Sequence, residues 1–251
     1  MNRPLGARIL VSNRLGAIYG LIGNRRTWYI WARFPSEPIF FFLRYFPFSR
    51  RIRKKATPLK VSYLKKKAQK TIAKMFNMEE REVSEVLRNY VDPYPRYIPK
   101  GVPYREFLYA IVVLANLKTI VETGVAYGSS TYAFLLGLEE TGGELYSIDI
   151  SPEVGSLVPK KLRRRWTLVI GDSRKKLPEL LESLKEIDAF MHDSVHTPGW
   201  MLWEYTISWP YVKKILLSDD AHQNNAFPHF AKVVKKKPYY VFNRLGVLKK
   251  S

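Results

Sequence analysis

The chain has 251 residues, enough to bury a substantial core in one or two domains, and 46% hydrophobic with 14% aromatic residues marks it as globular. It contains no cysteine, which excludes disulfides, thiolate metal sites and cysteine nucleophiles, and no apolar run approaches the roughly 20 residues of a membrane-spanning helix. The net charge of +20 is concentrated: residues 1–76 hold 18 Lys and Arg against one acid, Glu37, which predicts an anionic partner for this part of the chain.

In chain order, residues 1–76 read as a basic, aromatic, helical N-terminal extension. Ten aromatic residues fall within 28–48, and a basic cluster follows at 50–55. Rings beside cations suit an anionic membrane surface. They suit equally well the stacked bases and phosphates of RNA. A third expectation is that the rings pack on the rest of the chain, or on a second copy in a homo-oligomer, as a lid. The run "LKKKAQK" (64–70) reads as a solvated helix face. "NMEEREVSEVLRNYV" (77–91) reads as a helix capped by Asn77, and the Pro-rich "DPYPRYIPKGVP" (92–103) as a linker. These set the boundaries 1–76, 77–103 and 104–251. With no secretory signal in view, a cytoplasmic location is expected, peripheral to the membrane if the arm binds lipid.

From Tyr104 a buried helix, "YREFLYAIVVLANL", precedes a regular alternation. "KTIVETG", "ELYSIDI", "WTLVIGD", "IDAFMHD" and "ILLSDD" read as strands. Between and after them come helices in "SSTYAFLLGLEETG", "RKKLPELLESLKE", "PGWMLWEYTISWPYVKK" and "AFPHFAKVVKK". "YYVFN" and "GVLKK" close the chain as a hairpin around Arg244–Gly246. The pattern predicts an α/β fold: a Rossmann-like, mainly parallel seven-stranded sheet with helices on both faces.

The chemistry gathers at the strand ends. Gly124 and Gly128 fall in the turn after the first strand, where glycine allows close backbone approach and the next helix presents free N–H groups. Asp149 ends the second strand at a spacing suited to ribose hydroxyls. Ser129, Ser130 and Thr131 stand where a dinucleotide fingerprint needs its third glycine, which argues against a nicotinamide cofactor. Asp172 and Ser173 end the third strand, where helix capping is an equal expectation. "MHDSVHT" then places His192, Asp193, Ser194 and His196 past the fourth strand, and Asp219, Asp220 and His222 follow the fifth.

These motifs, in this order, resemble the class I S-adenosylmethionine-dependent methyltransferases. More narrowly, they resemble the O-methyltransferase branch that includes catechol-type enzymes and the methyltransferase 24 group, over about residues 104–248. The resemblance implies S-adenosylmethionine as cofactor. Glu122, Gly124, Gly128 and Ser130 would lie at its methionyl part, Asp149 at the ribose, Asp172 and Ser173 at the adenine, and Asp193 beside the reacting end. It also implies a divalent cation, Mg or Ca, on Asp193, Asp219 and Asp220, clamping a substrate hydroxyl. The other expectation for the adjacent pair is that one acid caps a helix or binds Lys or Arg. His196 stands where catechol-type enzymes carry a Lys base, a departure that histidine chemistry tolerates; His192 is expected to be structural. The expected function is O-methylation of a small hydroxylated molecule, sugar or lipid-linked glycan. Two alternatives stand beside it: an RNA methyltransferase using the basic arm, and a non-catalytic cofactor-binding or assembly protein.

Overall fold

The structure is a computed structural model that describes residues 58–91 and 104–250. The described residues belong to one compact unit, residues 57–251. The aromatic and basic run at 27–55 and the linker 92–103 lie outside the described residues, so the lipid, RNA and lid expectations attach to a part that is not described.

Helix α1, Pro58–Phe76, opens on a proline, whose missing N–H costs nothing in a first helical turn. It buries Ala68, Ile72, Ala73 and Met75 at helical spacing and packs on α2, α3 and the sheet edge. It therefore belongs to the same unit as the sheet, although the sequence grouped it with the extension. Asn77 does not cap the next helix: its φ of 53° ends α1 in the left-handed conformation, with the Met78 N–H bonded to Ala73 O at 3.0 Å. The cap of α2 (Glu80–Arg88) is Glu79, whose backbone N–H donates to the Glu82 carboxylate at 2.8 Å in a capping box. Helix α3, Arg105–Leu114, is buried along most of its length.

The sheet then builds in the expected alternation: β1 Thr119–Thr123, α4 Ser129–Thr141, β2 Glu144–Asp149, β3 Trp166–Ile170, α5 Ser173–Leu184, β4 Ile187–His192, α6 Pro198–Ser208, β5 Val212–Ser218, α7 Ala226–Val233, β6 Pro238–Val241 and β7 Leu245–Lys249. A 3₁₀ turn, Lys160–Arg165, leads into β3. Strand order is β3-β2-β1-β4-β5-β7-β6; β3 to β5 run parallel and β7 is antiparallel to both neighbours. Alternate strand residues feed two cores. Ile120, Leu145, Ala189, Met191, Ile215 and Leu217 face α1, α3 and α4. Val121, Ile148, Phe190 and Leu216 face α5, α6 and α7.

Two boundaries differ from the sequence reading. Helix α6 stops at Ser208, because Pro210 has no N–H and Tyr211 O accepts from Ile187 N–H at 3.0 Å, so Val212–Lys214 begin β5. The final hairpin turns at Phe242 and Asn243, with φ of 56° and 54°, not at Arg244–Gly246; the Arg244 N–H closes the turn on Val241 O at 3.1 Å. This earlier turn brings Arg244 to the mouth of the strands. Among the described residues, no helix is long and apolar enough to cross a membrane.

Candidate functional site

The parallel strands end level. Gly124 N–H bonds Ile148 O at 2.8 Å, Asp193 N–H bonds Thr123 O at 2.9 Å, and Asp219 N–H bonds His192 O at 2.8 Å, so each neighbouring pair of strands continues one bond past its end. The crevice outside these ends, where the chain reverses between β1 and β4, is where ligands settle in such sheets.

On one side lies the Gly loop. Gly124 has φ of 83°, and a Cβ there would fall 2.1 Å from Asp193 O; glycine is required because β1 and β4 turn against each other. Gly128 has φ of 85° and abuts Gly155 and Val158. Asp149 holds the loop: its carboxylate accepts from the N–H groups of Val125 (2.9 Å), Ala126 (3.3 Å) and Ser151 (3.0 Å). Around it stand exposed apolar side chains: Ile150, Tyr127 and Ile170, the last paired with Asp149 across β2 and β3. An acid rimmed by exposed aliphatic and aromatic surface fits a sugar joined to a flat ring. Sequence reading singled out Asp149 but passed over Ile150 and Ile170, which look like ordinary strand residues until their exposure is known.

Glu122 and Ser130, expected at the methionyl part, are both buried and meet beneath the loop. The Glu122 carboxylate accepts from Thr131 (2.5 Å), Ser147 (2.7 Å) and Ser130 (3.2 Å). Burial still pushes its carboxyl up to about 7, against the pull of those hydrogen bonds. Asp172 is the N-cap of α5, accepting from Arg174 N–H at 3.0 Å, so the capping expectation is realised there. Ser173 instead enters a second buried network on the opposite face of the sheet, centred on Glu204. That carboxylate accepts from Thr123 (2.5 Å), Ser173 (2.7 Å), Ser194 (2.8 Å) and the Trp200 indole (2.9 Å), and meets His192 Nδ1 at 2.6 Å. Burial opposes its charge, yet His192 and these donors hold its carboxyl below the usual range. His192 is structural, as its place one residue before Asp193 suggested. Glu204 went unnoticed because a lone acid on an aromatic helix reads as a solvent contact.

On the other side lie Asp193, His196 and Asp219, whose ligand-type atoms sit within 4.8 Å of one another. His196 Nε2 is 3.7 Å from Asp193 Oδ1 and 3.6 Å from Asp219 Oδ2, buried and without a hydrogen-bond partner. Asp219 is gripped by Arg244, Nε to Oδ1 at 2.9 Å and Nη2 to Oδ2 at 3.0 Å, and by the Tyr104 hydroxyl. Asp220, with φ of 50°, shares Arg244 with Asp219. Arg244 Nε lies 2.7 Å from Asp220 Oδ1, and the Gln223 amide binds Asp220 Oδ2. Of the three acids expected to converge on a metal, two are thus bound to one arginine, and His196 takes the third place in the cluster. Burial, then the Asp219 charge, push the Asp193 carboxyl well up. Burial opposes the charge of Asp219 too, but His196 and Arg244 hold its carboxyl well below the usual range. The site therefore groups one imidazole with two carboxyls of opposite tendency, Asp193 favouring its proton and Asp219 its charge.

Residues 121–221 match the family model Methyltransf_24, described as a methyltransferase domain. Similar solved structures include an O-methyltransferase from Bacillus cereus in complex with SAH, 14% identical, covering 68% of this chain and 90% of that one at a TM-score of 0.45. Another is the SAH-bound methyltransferase PaMTH1 of Podospora anserina, 15% identical, covering 66% and 85% at 0.47. No curated protein matches the chain. Residues 121–221 thus resemble a methyltransferase domain, set in a seven-stranded, mainly parallel, Rossmann-like sheet.

Proposed function

We propose that the protein is an S-adenosylmethionine-dependent O-methyltransferase acting on a small hydroxylated molecule, sugar or lipid-linked glycan. The observation that carries this reading is His196 Nε2, unpartnered and poised between Asp193 and Asp219 at the strand ends of a methyltransferase domain. Held at Asp149, Ile150 and Ile170, the cofactor would supply an electrophilic methyl group and yield a neutral thioether, so no acid would be needed for departure. His196 Nε2 takes the proton of the acceptor hydroxyl. The imidazolium that results is stabilised by the Asp219 carboxylate, which Arg244 and Tyr104 keep ionised and oriented. Asp149, with Ile150 and Ile170 beside it, suits the adenosyl group. The rest is alignment of oxygen with methyl in a site that excludes water.

A divalent cation does not fit the three-carboxylate set Asp193, Asp219 and Asp220, because Arg244 already lies on two of the three acids. The remaining trio offers one nitrogen and two oxygens, a set less suited to Mg or Ca than all-oxygen coordination. We therefore read the reaction as independent of metal, with the guanidinium as the resident cation. The basic arm is assigned to capture of an anionic surface, lipid headgroups or RNA phosphates, from its 18 Lys and Arg against one acid over residues 1–76.

Calorimetry on the full chain tests the cofactor. S-adenosylhomocysteine should bind, and Asp149→Ala or the exposed pair Ile150→Ser with Ile170→Ser should weaken it at least about tenfold. Absence of binding to the unaltered chain would remove the reading.

A further inference from the structure

A cavity of about 500 Å³ opens outside the crevice described above, with His222 and Asn243 in its wall. Helix α1 contributes Lys67 and Lys74, seven residues apart and so on one helix face. Lys237 and Tyr239 come from the start of β6, Asn243 from the hairpin turn, and His222 from the segment after β5. No acid lines it. Among the described residues, none of the three lysines forms an ion pair. Two of them are nonetheless placed: Lys67 Nζ donates to Asn243 Oδ1 at 3.2 Å, and Lys237 Nζ stands 5.6 Å from the Tyr239 ring centroid. Elsewhere on the same domain, Lys65, Lys70, Lys176, Lys185, Lys213 and Lys214 each meet a carboxylate. Three like charges converging on one concave surface with nothing to offset them repel one another, and a bound anion reverses the sign of that balance.

The position gives the cavity its meaning. Asn243 is the residue before Arg244, which holds Asp219 and Asp220, and His222 lies two residues beyond Asp220. The His222 and Asn243 wall of the cavity thus lies on the Asp220–Arg244 side of the cluster that contains His196. Resting on the O-methyltransferase reading above, we infer that this cavity binds a phosphate group of the methyl acceptor, so that the acceptor is a phosphorylated hydroxyl compound. Phosphate offers acceptor oxygens to several ammonium groups at once, and Lys is a common point-charge partner for it.

The test uses the full chain and its Lys67→Ala/Lys237→Ala variant; both lysines are exposed, so the fold should hold, with an unchanged melting temperature as the control. Binding of inorganic phosphate and of glycerol 3-phosphate is followed by calorimetry at low and moderate salt, with S-adenosylhomocysteine binding measured in parallel. Saturable phosphate binding that weakens at least about tenfold in the variant and with rising salt, while S-adenosylhomocysteine binding is unchanged, supports the inference. A further arm uses phosphatidylcholine vesicles containing phosphatidic acid. Variant-sensitive binding of glycerol 3-phosphate marks a soluble acceptor, and variant-sensitive binding of the vesicles alone marks a lipid-borne one. Phosphate binding that the variant leaves intact, or no saturable binding at all, overturns the inference. A chain that binds S-adenosylhomocysteine without phosphate overturns this inference alone; one that binds phosphate at the lysines without S-adenosylhomocysteine overturns the reading beneath it.

Discussion

The two halves of the strand-end crevice are built on different principles. The half over β1, β2 and β3 is made of backbone geometry: a left-handed Gly124, N–H groups gathered by Asp149, and exposed Ile150 and Ile170. The half over β4, β5 and β7 is made of charge: Asp193, His196, Asp219, Asp220 and Arg244 within one cluster, with Tyr104 beneath. The first presents a fixed shape to a large ligand. The second sets the protonation states of a few groups, and each group depends on its neighbours. A substitution in the Gly loop should therefore act through strain, and one in the second half should redistribute charge.

Gly124→Ala should break the first half most severely. The added Cβ meets the backbone of Asp193, so the left-handed conformation and the clash together should cost about 3–5 kcal/mol, read as a large drop in melting temperature. Arg244→Ala should break the second. It leaves Asp219 buried with its guanidinium partner gone, at about 2–3 kcal/mol, below the cost of breaking a wholly buried pair because Arg244 keeps 36% of its side chain exposed. Denaturant unfolding of this variant should also show Asp219 protonating at higher pH.

The Glu122 carboxyl is the titrating exception beneath the Gly loop, and its charge also bears on Asp193. Its folded value of about 7 lies above the ordinary 4.5, so between those values the folded state binds more protons than the unfolded one. Stability should fall as pH rises through that window, by up to about 3 kcal/mol in all, and then level off. In Glu122→Gln that contribution should vanish from the stability profile; a slope identical to that of the unaltered chain would assign the titration to another group. The smallest effect is expected at Asp172→Ala, which removes only the cap of α5 and should cost about 1 kcal/mol.

The same contrast decides what the sequence could show. The sheet, the glycines and Asp149 were legible because the Gly turn, the strand end and its acid follow one another within 26 residues. Asp193 and His196 were legible because they share one loop. Arg244 and Tyr104 were not, since they reach Asp219 from 25 and 115 residues away, and only the folded hairpin and α3 bring them there. The adjacency of Asp219 and Asp220 suggested a shared metal; the two acids do share a cation, but it is the Arg244 guanidinium from the hairpin. Asn77 misled for a simpler reason: the same side chain serves helix starts and helix stops, and here the stop prevailed.

The central claim is metal-independent methyl transfer with His196 as base, and its most direct measurement is incorporation of labelled methyl from S-adenosylmethionine into fractionated extract by the full chain. The account predicts incorporation that a chelator leaves intact and that His196→Ala lowers at least about 100-fold, while S-adenosylhomocysteine still binds the variant. Incorporation abolished by the chelator, or unchanged in His196→Ala, would contradict it.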